Sequence, residues 1–372
     1  MPEHQTHRDP VFTVNLNGAD GDLNGWVVVD SLVDSLAMGG TRMTPDVSLS
    51  EVAALARVMT SKLHLVGLPI GGAKAGIVSD GTDRDHTMQS FGRTVAPLLH
   101  GGIHLGVDMG VTPADRATFF SAAHYDPRRK FDGVDMPYDW RTYYEPLEDC
   151  TGHGVGTAAV TALDQLGEGA ARSVVLQGFG SVGRAVAAFL VAHGHRLIGV
   201  ADVRGTVIDQ QGLPLDKLLA ATNRFGVIDR DQLLPETHTV ENVPGWLTTP
   251  ADVLVLAANQ HAINDDNVDQ VDAAIVVEGG NQCISPGARK RLAERGITVV
   301  HDTIANVGGA AAAGLALTRT VPFELPGPER KAWVFNWVAE RVAVNTRDLL
   351  EAAKTSDDPI ADLLTNRKKA VL

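Results

Sequence analysis

The chain has 372 residues, 44% hydrophobic and 21% charged, with a formal net charge of -13. That length exceeds one ordinary core and predicts two domains, and the acidic balance excludes general binding to nucleic acid or anionic membranes, which need basic patches. Cys150 and Cys283 are too few for a disulfide framework, no Cys/His cluster suggests zinc or another metal, and neither a signal-peptide core nor a bilayer-length apolar run occurs, so the expected compartment is the cytoplasm.

A polar lead-in ends in a β-type run, Trp26 to Val29. DSLVDSLAMGGTRM reads as a loop around Gly39 and Gly40. Ser48 or Ser50 can cap a helix with Glu51 in its first turn and Val52, Leu55, Ala56 and Met59 at helical spacing. That helix runs into SKLHLVGLPIGGAKAGI, residues 61 to 77, where Lys62 and Lys74 flank small and apolar residues. Two readings stand at this point. The lysines are surface cations beside a glycine loop, or they are desolvated groups whose lowered pKa suits a base near neutral pH. A helix is predicted over about 84 to 99, then a short strand, a loop at Gly106 to Gly110 holding Asp108, and a helix start at Thr112-Pro113. Residues 121 to 147 read as a long irregular loop. A helix is predicted from Thr151 to about Leu166, with the domain boundary near 145 to 150.

The second half alternates strand and helix: strands at Ser173 to Gln177, Arg196 to Ala201, Val253 to Ala257, Ala274 to Val277 and Thr298 to Val300, and a strong amphipathic helix over 331 to 352. This pattern predicts a parallel sheet with right-handed crossovers. Gly178-Phe179-Gly180-Ser181-Val182-Gly183 is GxGxxG after a strand and before a helix, with Asp202 closing the next strand. In that setting Gly178 makes the tight turn, Gly180 lets a pyrophosphate approach the backbone, Gly183 allows helix–strand packing, and the N–H groups of Ser181 and Val182 face the phosphates. Asp202 is expected to accept hydrogen bonds from an adenosine ribose. NAD is the expected cofactor; NADP stays open, since Arg204 two residues on could meet a 2′-phosphate.

AMGGTRM (37–43), MTSK (59–62), GLPIGGAKAGI (67–77), VDMGVT (107–112), TGHGV (151–155), GFGSVG (178–183), EGGN (278–281) and IANVGG (304–309) together resemble the glutamate, leucine, phenylalanine and valine dehydrogenase family, in its order and spacing. The resemblance implies an α/β fold with an N-terminal α/β substrate and oligomerisation domain (1–147), a Rossmann dinucleotide-binding domain (148–325), and C-terminal helices (326–372) returning to the first domain. It implies oxidative deamination of an L-amino acid to a 2-oxo acid and ammonia, in a homo-oligomer. Lys62 matches the carboxylate-binding lysine, Lys74 the base that activates water, and Asp108 the acid that moves the proton, with Gly40 and Met59 in the surrounding wall. Thr151, Asn259, Asn281 and Asn306 match positions near the nicotinamide and its ribose.

Members specific for glutamate carry a lysine and a serine where this chain has Met38 and Ala313. A side-chain carboxylate would meet a thioether and a methyl group there, so an apolar side chain, branched-chain or aromatic, is expected in a pocket lined by Met38, Ala310 and Ala313. The glycines between Lys62 and Lys74 are read as room for substrate. The alternatives are a dehydrogenase for a smaller or polar amino acid, and a noncatalytic NAD-binding sensor.

Overall fold

The computed structural model describes residues 9–18, 21–129, 135–167, 169–233, 238–240, 245–356 and 358–371. The chain divides into two compact units. The first comprises Met1–Tyr143 with Ala313–Phe323, the second Tyr144–Ala312 with Glu324–Leu372.

The first unit contains β1 (Phe12–Leu16), β2 (Gly25–Val29), β3 (Ala37–Thr44), α1 (Leu49–Leu65), β4 (Gly71–Val78), α2 (Arg84–His100), β5 (Ile103–Val107), α3 (Pro113–Ala122) and the short α4 (Trp140–Tyr144), whose last residue falls in the second unit. Its sheet has the order β1-β2-β4-β3-β5; β3 runs parallel to both β4 and β5, while β1 and β2 are antiparallel. Ala73, Ala75 and Ile77 of β4 join Val27 and Val29 in a core closed by Met88, Phe91, Val95 and Leu99 of α2 and Phe119 of α3. The other face is covered by α1, whose Val52 and Ala56 pack with Val28 and Val47.

The segments read as a loop and as room for substrate are therefore core strands, β3 and β4. A Cβ on Gly72 would lie 2.2 Å from the Thr60 nitrogen and 2.6 Å from the Ala56 oxygen, and one on Gly76 would lie 2.4 Å from Val52 Cγ2. These glycines are filled by α1, not by a ligand. Hydrogen bonds hold the helix down: Thr60 Oγ1 donates to Asp30 (2.6 Å) and contacts Ser31 Oγ (2.8 Å), which accepts from the Gly72 N–H (3.0 Å). The irregular reading of 121–147 holds only in part, since α3 ends at Ala122 and α4 lies within the stretch; residues 130–134 fall outside the described ones.

The second unit contains α5 (Cys150–Leu163), β6 (Ser173–Gln177), α6 (Ser181–Ala192), β7 (Arg196–Asp202), β8 (Gly205–Ile208), α7 (Leu215–Ala220), β9 (His238–Val240), α8 (Gly245–Thr248), β10 (Ala251–Leu256), β11 (Ala273–Glu278), α9 (Pro286–Glu294), β12 (Thr298–Val300), α10 (Asp302–Ala305), α11 (Gly308–Leu317, which runs on into the first unit), α12 (Gly327–Ala352) and α13 (Pro359–Val371). Its sheet order is β12-β11-β10-β6-β7-β8-β9, with β12, β11, β10, β6 and β7 parallel and the last two strands antiparallel. From β6 the chain moves to β7 on one side and later to β10 on the other, so the β6/β10 edge is the topological switch point where open α/β sheets bind ligands.

Within the second unit α12 packs on α5, with the Phe335 ring 4.7 Å from the His153 ring. Small residues on α5 allow this approach, and a Cβ on Gly154 would meet Val338 Cγ1 at 3.6 Å. Ala313–Phe323 belongs to the first unit.

Candidate active site

In the first unit the strand order brings three sequence-distant residues together. Lys74 lies in β4, Gly40 and Arg42 in the adjacent β3, and Asp108 one residue past the end of β5. Side chains alternate across a strand, so Lys74 points to the α1 face, as Gly72 and Gly76 do. Lys74 Nζ meets Asp108 Oδ2 at 2.9 Å, and Arg42 Nε donates to the same oxygen at 3.0 Å. Arg42 also pairs with Glu51 in the first turn of α1. Lys62 continues the buried stripe of α1 formed by Leu55, Met59 and Leu63, and is only 4% exposed.

Both lysines are thus buried, which rules out the reading as surface cations. Burial is the largest influence on Lys74 and pulls its pKa below the usual lysine value; the charges of Arg42 and Lys62 pull the same way, while Asp108 opposes them. Burial alone would raise the Asp108 carboxyl, but the Lys74 and Arg42 charges outweigh it and keep the group below the ordinary carboxylate range. Gly40 is required by this geometry. A Cβ there would lie 2.7 Å from the Val107 oxygen, 2.9 Å from Asp108 Cβ and 3.2 Å from Lys74 Nζ.

Met38 lies beside the segment that carries Ala313, in the first unit as well. Both are buried, and the residue after Ala313, Gly314, is so close that a Cβ on it would lie 3.4 Å from Met38 Sδ and 2.8 Å from Leu68 Cδ1. Ala310 sits one turn earlier on α11, in the second unit and half-buried. Arg42 carried no role in the sequence reading, and Glu51 only one as the acid in the first turn of α1. The signal was present, since an arginine inside AMGGTRM is as costly to bury as a lysine.

In the second unit the glycine-rich turn fits a dinucleotide. Gly178 has φ of +97°, which opens the turn after β6. A Cβ on Gly183 would lie 2.1 Å from the Gly178 oxygen, whereas one on Gly180 would meet nothing within 4 Å, leaving the approach clear. The helix α6 starts at Ser181 with no side-chain cap, so its first N–H groups, including those of Ser181 and Val182, are available to phosphates. Asn259 is exposed in the loop after β10, and Asn281 follows β11. Asn306, at the end of α10, donates from Nδ2 to Asn281 Oδ1 (3.2 Å) and the Gly279 oxygen (3.3 Å). These three asparagines lie at or beyond the carboxyl ends of the parallel strands. Thr151 Oγ1 accepts from the Gly309 N–H at 3.1 Å, on the first turn of α11. Asp202 closes β7 as expected, but its carboxylate already receives Arg230, Ile228 and Arg204.

Two family models match the chain: the Glu/Leu/Phe/Val dehydrogenase dimerisation domain over residues 8–122, and Glutamate/Leucine/Phenylalanine/Valine dehydrogenase over residues 146–324. The NADP(+)-dependent glutamate dehydrogenase of Pyrobaculum calidifontis is 32% identical over 289 residues, which is 73% of this chain and 66% of that protein. The NAD-specific glutamate dehydrogenase of Staphylococcus aureus (strain COL) is 32% identical over 345 residues, 89% of this chain and 77% of that one. Among solved structures, the hetero-hexameric glutamate dehydrogenase from Thermus thermophilus in its Leu-bound form superposes with a TM-score of 0.76 at 26% identity, over 97% of this chain and 89% of the other. The relatives include NAD-specific and NADP-dependent enzymes alike. No helix among the described residues is long and apolar enough to cross a membrane.

Proposed function

The chain belongs to the Glu/Leu/Phe/Val dehydrogenase family of amino-acid dehydrogenases, and from that premise we propose that it reversibly deaminates an apolar L-amino acid, branched-chain or aromatic, with NAD or NADP. Amino acid, oxidised dinucleotide and water give the 2-oxo acid, ammonium, reduced dinucleotide and a proton. Lys62, buried on α1, anchors the substrate carboxylate. A bound nicotinamide would supply the acceptor for the Cα hydride, leaving the substrate as an iminium. Neutral Lys74 then takes a proton from water as its oxygen bonds to the iminium carbon and the C=N electron pair moves to nitrogen. Asp108, held ionised beside Lys74, takes the proton from the Lys74 ammonium and passes it to the amine nitrogen. The C–N bond breaks and ammonia leaves as the hydroxyl proton returns to neutral Lys74 and the C–O electron pair forms the carbonyl. The α6 N-terminus with Gly178, Gly180 and Gly183 holds the pyrophosphate, and Thr151, Asn259, Asn281 and Asn306 serve the nicotinamide side. Copies of the chain associate through the part matched by the dimerisation-domain model.

The observation that carries the apolar choice is Met38, 4% exposed and packed beside Gly314, Leu63 and Leu68. A side-chain carboxylate brought there would be desolvated against a thioether and methyl groups. The names of the relatives favour a second reading, glutamate as substrate. Reduced-dinucleotide formation at alkaline pH with each L-amino acid separates the two. Leucine, phenylalanine and tryptophan should outrun glutamate, and the reverse order defeats the apolar reading. Lys74→Ala should abolish turnover while NADH still binds; undiminished turnover would remove Lys74 from its role. A wild-type chain that binds dinucleotide and turns over no amino acid is the sensor.

A further inference from the structure

The acid closing the second strand of a dinucleotide fold ordinarily meets the adenosine ribose. Here that carboxylate is satisfied from within the chain. Asp202 Oδ1 accepts from Arg230 Nη2 at 2.7 Å and from the Arg204 N–H at 2.8 Å; Oδ2 accepts from the Ile228 N–H at 2.7 Å and from Arg230 Nη1. The side chain is 2% exposed. An arginine fork on a carboxylate is among the strongest pairings available. Ribose hydroxyls would have to displace it, and the negative charge that would repel a 2′-phosphate is neutralised. Burial alone would raise the Asp202 carboxyl, but Arg230 and the two N–H donors hold it below the ordinary carboxylate range.

The same arginine braces the neighbouring segment. Arg230 also donates to the Ile228 oxygen (2.7 Å) and the Gly205 oxygen (3.2 Å), and Ile228 bridges back to Thr222. Asn223 Oδ1 accepts from the N–H groups of Phe225 (2.9 Å) and Val227 (3.1 Å). A Cβ on Gly226 would lie 2.8 Å from the Phe179 oxygen and 2.9 Å from the Gly180 nitrogen. Residues 222–230 therefore rest directly on the phosphate-binding turn. Two large apolar side chains stay exposed at this place, Val203 at 89% and Phe225 at 73%. Next to Val203, the Arg204 side chain is exposed, and its guanidinium has no partner among the described residues.

We propose that this chain binds NADP(H) at least as tightly as NAD(H), with Arg204 taking the 2′-phosphate and Arg230 acting as the positioning residue that neutralises Asp202. This rests on the dehydrogenase reading, since it takes the turn before α6 as a dinucleotide site. The test is a binding titration of the full chain with NADPH and with NADH, without amino acid, followed by cofactor fluorescence. The expected wild-type dissociation constant for NADPH is equal to or below that for NADH. Arg204→Ser should weaken NADPH by about tenfold, as for loss of one charged hydrogen bond, and NADH far less. Arg230→Met uncovers the Asp202 charge and should weaken NADPH more than NADH, whereas a merely structural role would weaken both alike. If that variant does not fold, the wild-type ratio and Arg204→Ser still decide. Tighter wild-type binding of NADH, or an unchanged NADPH affinity in Arg204→Ser, overturns the proposal and leaves the dehydrogenase reading standing. Binding of neither nucleotide overturns both.

Discussion

Asp108 Oδ2 receives two buried cations, Lys74 and Arg42, and that sharing sets opposite signs for two substitutions. Catalysis by Lys74 as a base needs its neutral form, so kcat/KM for deamination should rise with pH through the Lys74 pKa, at a midpoint below the usual lysine value. Asp108 raises that pKa and Lys62 lowers it. Asp108→Asn should therefore move the midpoint to lower pH and, with the proton carrier gone, cut the plateau by about 10²-fold or more. Lys62→Met should move the midpoint to higher pH and raise KM, because the carboxylate anchor is lost as well. Rate–pH profiles of the two variants check this, and midpoints moving in the same direction would defeat the electrostatic account of Lys74. A steric prediction belongs to the same residues. Gly40→Ala places a methyl carbon 3.2 Å from Lys74 Nζ and 2.9 Å from Asp108 Cβ. It should lower kcat/KM by about tenfold or more through displacement of the pair, with cofactor affinity retained.

At the scale of elements, the lysines and Asp108 stood out in the sequence as costly residue types in apolar or glycine-rich surroundings, and the glycine-rich turn and Asp202 by their spacing around strand and helix. The strands β3 and β4 were not. Gly39, Gly40, Gly71, Gly72 and Gly76 have the composition of a loop, and the strand period is hidden when one face of a strand is glycine. What makes them strands is tertiary: α1 lies so close that no side chain fits at Gly72 or Gly76, and Asp30, Ser31 and Thr60 tie the helix to the strand. The same contact seats Lys62 on the face of the sheet that Lys74 occupies. Gly72→Ala meets backbone atoms, the Thr60 nitrogen at 2.2 Å and the Ala56 oxygen at 2.6 Å, which cannot rotate away. It should cost about 1–3 kcal/mol, the range for overpacking a tight core, and raise KM by shifting Lys62. Thermal unfolding with a substrate titration measures both, and an unchanged melting temperature would show that α1 can lift without penalty.

For the molecule as a whole, the GxGxxG turn and the two buried lysines fall in different units, a division that strand–helix alternation in the second half of the sequence already suggests. Helix amphipathicity did not say which unit α12 joins. An apolar stripe states that a helix is covered and is silent on the cover; resemblance implies packing on the first domain, and within the second unit α12 pairs with α5. The difference is testable because it changes what the helix supports. Val338 is fully buried, and its Cγ1 lies 3.6 Å from a Cβ built on Gly154 of α5. α5 also packs against α6, whose N-terminus faces the phosphate site. Val338→Asp would bury an unpaired carboxylate in that contact, a loss of several kcal/mol. With α12 braced on α5, the variant should lose NADH affinity and the second unit should unfold earlier, while the first unit keeps its protection from hydrogen exchange around Lys74. If protection is instead lost first around Lys74 and NADH binding is spared, α12 supports the first unit after all.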